Sequence, residues 1–108
     1  MDVLDGEVIA VFCTVPVKHT ERIAEEIVNS GLSACVSVAR VKSFYLWEGE
    51  MCRDDEDLMV IKTTSGRYRA LEEKIKEIHP YDLPEIIAFP VCAGSEDYLS
   101  WVRRAASL

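Results

Sequence analysis

The chain has 108 residues, 49% of them hydrophobic and 29% charged, with a formal net charge of −7. This length suits one domain around one core, here taken as residues 1–108, and the composition excludes a disordered chain. The acidic balance, with its basic residues scattered, excludes a nucleic-acid partner, because phosphate backbones are held by clustered Lys and Arg.

No apolar run approaches the ~20 residues that span a bilayer, so no membrane partner is expected. The opening segment Met1 to Glu7 is acidic and has neither the basic nor the apolar stretch of a signal peptide, which makes the cytoplasm the expected location. Cys13, Cys35, Cys52 and Cys92 form no C-x-x-C pair, which argues against a zinc ribbon or a thioredoxin-like redox pair. In the cytoplasm they would stay reduced.

From Glu7 to Val15 a nearly continuous apolar run ending at Pro16 predicts a central strand buried on both faces. Between Thr20 and Ser30 the spacing of Ile23, Ala24, Ile27 and Val28 predicts a helix, which Gly31 ends and Leu32 covers. A second strand runs from near Ser33 through Val36, Val38 and Val41 to Trp47, rich in β-branched and aromatic residues. Glu48-Gly49 supplies a turn, and the chain returns through Met51 to Ile61. The two arms far exceed the usual ~5 to 6 residues of a strand and must reach beyond their own domain.

Ser65-Gly66 ends that strand, and Tyr68, Leu71, Ile75 and Ile78 mark the clearest amphipathic helix, closed by His79-Pro80. Glu85 to Phe89 predicts a fourth strand, with Pro90 at its end or at a sheet edge. Ser95 caps a last helix carrying Tyr98, Leu99 and Val102, with Glu96 and Asp97 in its first turn and Arg103 and Arg104 in its last. The class is therefore α+β, a ferredoxin-like βαββαβ sandwich with an antiparallel sheet, an extended β-hairpin and a C-terminal helix. One sheet face and the apolar hairpin would be left largely in water, so partner subunits are expected.

Several segments together resemble the CutA family of divalent-cation tolerance proteins: Cys13-Thr14, Leu32-Ser33-Ala34-Cys35-Val36 and Ser43-Phe44-Tyr45-Leu46-Trp47-Glu48-Gly49, then Glu56 and Lys62-Thr63-Thr64. The order continues with His79-Pro80-Tyr81, Pro84-Glu85, Pro90-Val91, Gly94 and Asp97-Tyr98-Leu99-Ser100-Trp101, covering about four-fifths of the chain. The resemblance implies a homotrimer of ferredoxin-like subunits whose hairpins extend onto their neighbours, and a link to copper and other divalent metal ions. It also implies a metal site at Cys13 and at two consecutive histidines before the Pro-Tyr pair. Here Ile78 stands at the first of these and His79 remains.

A Cys13 thiolate and a His79 imidazole suit copper, and Glu85 or a residue of a neighbouring subunit would complete the ligand set. Equally, Cys13 fits as a small core residue, and His79 as a helix-end residue bracing the Pro80 turn. The run Asp54-Asp55-Glu56-Asp57 resembles a hard-cation site, but strand geometry sends neighbouring carboxylates to opposite faces, and a charged segment protecting an exposed arm is the other reading. Glu56 and Lys62 are a candidate intersubunit pair. Tyr45, Trp47, Tyr81, Tyr98 and Trp101 are candidates for an intersubunit cleft or for interface packing.

Motifs of the common catalytic classes are absent, and Cys13 with His79 is the only candidate nucleophile and base, so no enzymatic activity is expected. Two functions follow: a trimeric protein of metal tolerance, or, by fold analogy alone, a small-molecule sensor or interaction scaffold.

Overall fold

The computed structural model describes residues 6–107. The acidic opening segment lies, through Asp5, outside the described residues. The elements are β1 (Val8–Pro16), α1 (Thr20–Asn29), β2 (Cys35–Trp47), β3 (Glu50–Thr64), α2 (Tyr68–Ile78), β4 (Ile87–Pro90) and α3 (Glu96–Ala105). The strands form one antiparallel sheet in the order β2-β3-β1-β4. Each helical crossover skips one strand, which is the split βαβ topology expected.

Alternation along the strands separates two faces. Val11, Cys13 and Val15 of β1 and Met59 and Ile61 of β3 have no exposure and pack with Ile23 and Ile27 of α1 and Leu71 and Ile75 of α2. The other face is thinly covered. There α3 packs across β1 and β3, where Val8 and Val102 are buried, but Ala10, Phe12 and Thr14 remain only half-buried. The expectation that β1 is buried on both faces therefore fails for a single chain, because one ten-residue helix cannot cover four strands.

The fourth strand is shorter than predicted. Its ladder to β1 runs from Phe12↔Ile87 to Ile9↔Pro90, so Glu85 and Ile86 precede it and Glu85 stands in the loop after α2. Pro90 lies at the end of an edge strand, where its missing N–H costs no ladder bond.

The hairpin is the outstanding feature. Its arms of 13 and 15 residues pair in unbroken register from Cys35↔Lys62 to Trp47↔Glu50. The molecule is correspondingly elongated, measuring 44 × 28 × 22 Å. Glu48 and Gly49 make the two-residue turn with φ of 51° and 81°. Positive φ at both central residues gives the twist that a tight hairpin needs, and Glu48 occupies the left-handed region at a cost that Asn or Gly lowers. Glu48→Asn is expected to stabilise the chain by about 0.5–1 kcal/mol in chemical denaturation, with unchanged secondary structure by circular dichroism.

Candidate functional site

Register and alternation bring Tyr45, Trp47, Cys52, Glu56 and Thr14 to the sheet face opposite α1 and α2. The loop after α2, carrying Tyr81, Asp82, Leu83 and Glu85, faces them across a groove of 880 Å³. Its volume falls within the range of small-molecule sites. The groove has aromatic walls from Phe44, Tyr45, Trp47 and Tyr81, and carboxylates from Glu56, Asp82 and Glu85. Among the described residues no Lys, Arg or His lines it.

Glu56 is the buried anchor of this groove, only 4% exposed, and its Oε2 accepts a 2.9 Å hydrogen bond from the Tyr81 hydroxyl. Burial, then that bond to Glu56, raises the Tyr81 phenol well above the usual tyrosine range. The Tyr45 hydroxyl donates to Asp54, and this bond pushes the phenol up to about 12. Both phenols are therefore neutral donors at physiological pH, placed beside negative charge.

Cys13 lies behind the groove on the helix side of β1, without exposure. Burial, reinforced by the charges of Glu85 and Glu56, pushes its thiol up to about 12. It is a protonated core thiol, not a thiolate. His79, 7% exposed, is fully engaged: Nδ1 accepts the Tyr81 backbone N–H at 3.0 Å, and Nε2 lies 2.9 Å from the Thr14 carbonyl oxygen. A backbone N–H can only donate and a carbonyl can only accept, so the ring must be the neutral tautomer with its proton on Nε2. Desolvation lowers its pKa, in keeping with that form.

These two residues do not fit copper as they stand in one subunit. The soft ion needs a thiolate and a free imidazole lone pair, whereas the thiol is protonated and the lone pair holds the 80–86 loop. Among the described residues no group of three His, Cys, Asp or Glu side chains is arranged to hold a metal ion. Among the described residues no group activates Cys13 for nucleophilic chemistry either, its Sγ making a weak 3.8 Å bond to the Thr14 carbonyl.

The acidic run divides as strand geometry requires, but half of it is not the exposed protective segment that was the other expectation. Glu56 faces the groove, whereas Asp57, 6% exposed, faces α1 and accepts bonds from Arg40 Nε at 2.8 Å and Thr20 Oγ1 at 2.7 Å. The Arg40 bond, then the Thr20 bond, holds the Asp57 carboxyl below the usual range, tying the hairpin base to the start of α1. Lys62 donates to Ser37, and it stands six residues from Glu56, about 20 Å along the same strand, too far to pair within one chain. Tyr98 and Trp101 pack against each other on α3 with tilted rings, centroids 5.6 Å apart, and do not line the groove.

Among the lining residues, Asp82 and Leu83 escaped the sequence analysis, and Thr14 stood there only within the family resemblance, not as a site candidate. Thr14 could have been found by alternation, since it must face away from Cys13.

A family model described as CutA1 divalent ion tolerance protein matches residues 9–105. The chain belongs to the CutA1 divalent ion tolerance family. It is 41% identical over 95 residues to the divalent-cation tolerance protein CutA of Thermus thermophilus, covering 86% of this chain and 92% of that protein. It is 42% identical to the human protein CutA over 92% of this chain, but spans only 56% of that longer protein. Among solved structures, CutA1 from Oryza sativa superposes with a TM-score of 0.89 at 39% identity, covering 92% of this chain and 93% of that one. A structure described as the PII-like protein CutA from Nostoc sp. PCC 7120 in apo form gives 0.89 at 32% identity, covering 93% and 99%. The CutA1 fold and the family expected from the sequence are thus both established.

Proposed function

We propose that this CutA1-family chain serves divalent-cation tolerance as a non-enzymatic homotrimer in the cytoplasm, binding divalent ions in clefts between subunits. The observation that carries this reading is the hairpin. Phe44 is 62% exposed, Leu46 68%, Trp47 50% and Met51 51%, an apolar arm that one chain leaves in water. Each such side chain contributes roughly 1.5–3 kcal/mol when buried, so a neighbouring subunit is its natural cover. Four free cysteines suit a reducing compartment.

For the ion, Glu56 and Glu85 on the groove are better placed than Cys13 and His79. Both are carboxylates lining one open space, and donors from a neighbouring subunit would complete a set that one chain lacks. Copper bound by Cys13, His79 and Glu85 would require the thiol to lose its proton and His79 to release the Tyr81 N–H.

Light scattering on the full chain tests the assembly. The expected mass is that of three 12.2 kDa subunits, with bound Cu²⁺ or Mg²⁺ retained by the Cys13→Ala/His79→Ala variant. A monomer, or a double variant that loses all cation binding while keeping its mass, would sink the proposal.

A further inference from the structure

The groove combines features that a hydrated metal ion does not need. Tyr45 and Trp47 from the hairpin and Tyr81 from the facing loop present three aromatic rings to one space, which Glu56, Asp82 and Glu85 make acidic. Glu56 is only 4% exposed, yet the group that bonds it is the neutral phenol of Tyr81, and it belongs to none of the ion pairs among the described residues. A buried carboxylate bonded by a neutral phenol and left out of every ion pair is a site that a positive charge suits. The Asp54 bond raises the Tyr45 phenol and burial raises the Tyr81 phenol and the Cys13 thiol, and the nearby Glu56 adds to all three in the same direction.

We infer that this groove binds a small organic ammonium ion, its charge facing Glu56 and its alkyl groups against the rings of Tyr45, Trp47 and Tyr81. Aromatic faces attract weakly hydrated organic cations, and the attraction grows as water is excluded. A divalent metal ion instead demands several convergent oxygen, nitrogen or sulfur donors, and among the described residues one chain supplies no such set. The 880 Å³ of space also far exceeds what a bare ion fills. This inference goes beyond the proposed divalent-cation role and uses groups of a single subunit.

The test is calorimetry on the full chain in its solution assembly, in amine-free phosphate buffer at low salt, with choline as probe and 3,3-dimethylbutan-1-ol as its neutral isostere. Saturable choline binding is expected, with the alcohol weaker by about tenfold or more. Glu56→Gln and, separately, Tyr45→Ala, on a groove wall outside the four side chains that the neighbouring subunit covers, are each expected to weaken choline binding by about tenfold at unchanged oligomer mass, so the conclusion does not hang on a buried substitution. Equal binding of alcohol and choline, unchanged affinity in both variants, or no choline binding because a neighbouring subunit fills the groove would each overturn the inference. A chain that binds divalent ions but not choline overturns it and leaves the proposed function standing, whereas choline binding without divalent-ion binding does the reverse.

Discussion

Replacing Phe44 to Cys52 by a short glycine-containing turn is expected to give a folded chain that light scattering finds as a monomer. The deletion removes Phe44, Leu46, Trp47 and Met51, the most exposed apolar group of the hairpin. If a neighbour covers these four side chains at roughly 1.5–3 kcal/mol each, their loss exceeds 5 kcal/mol, more than a thousandfold in association. Folding should survive, because the deletion leaves the core of α1, α2, β1 and β3 intact. It also spares Asp57 with its bonds to Arg40 and Thr20, which tie the hairpin base to α1. A truncated chain that remains fully trimeric would show that the arm does not hold the assembly together.

The second large effect concerns His79. In His79→Ala the Tyr81 N–H and the Thr14 carbonyl each lose a partner in a site where the native ring is 7% exposed. Two polar groups left unpaired, together with the lost packing, cost about 2–4 kcal/mol, or roughly 10–20 °C in melting temperature at fixed protein concentration. His79→Gln keeps one donor and one acceptor and should recover part of the loss. The native state disfavours protonated His79, so its folded pKa lies below the unfolded value of about 6.5. The stability it contributes is complete above that value and declines as pH falls through it towards the folded pKa. Wild-type stability should therefore fall as pH drops below about 6.5, with a component that His79→Gln lacks. A histidine serving only as a metal ligand would instead be replaceable without much change in melting temperature of the metal-free chain.

The order of elements was legible because each is announced locally. Ile23 and Ile27, then Leu71 and Ile75, recur at helical spacing and all four have no exposure in the structure. Glu48-Gly49 marked the turn, and the chain reverses at those two residues. Less legible was anything that depends on side chains far apart in sequence. Tyr81 meets Glu56 across 25 residues, and Asp57 meets Thr20 across 37. Periodicity places such groups on faces without saying which will touch, so Asp57 read as part of an exposed charged segment and Glu56 as half of an intersubunit pair, although both are buried within one chain. Tyr45, Trp47, Tyr81, Glu56 and Glu85 were all recognisable as site candidates, and the groove does collect them. Cys13 and His79 were chosen for their ligand chemistry, but that chemistry depends on protonation and hydrogen bonding, which a sequence does not display. Burial keeps the thiol protonated, and two backbone groups engage the imidazole.

Whether function lies in the groove or at Cys13 is decided most directly by calorimetric titration of Cu²⁺ and Mg²⁺ into the wild type, the Glu56→Gln/Glu85→Gln double variant and Cys13→Ala. Cation binding lost in the carboxylate variant and kept in Cys13→Ala is the predicted result. Binding abolished in Cys13→Ala and intact without the two carboxylates would contradict it.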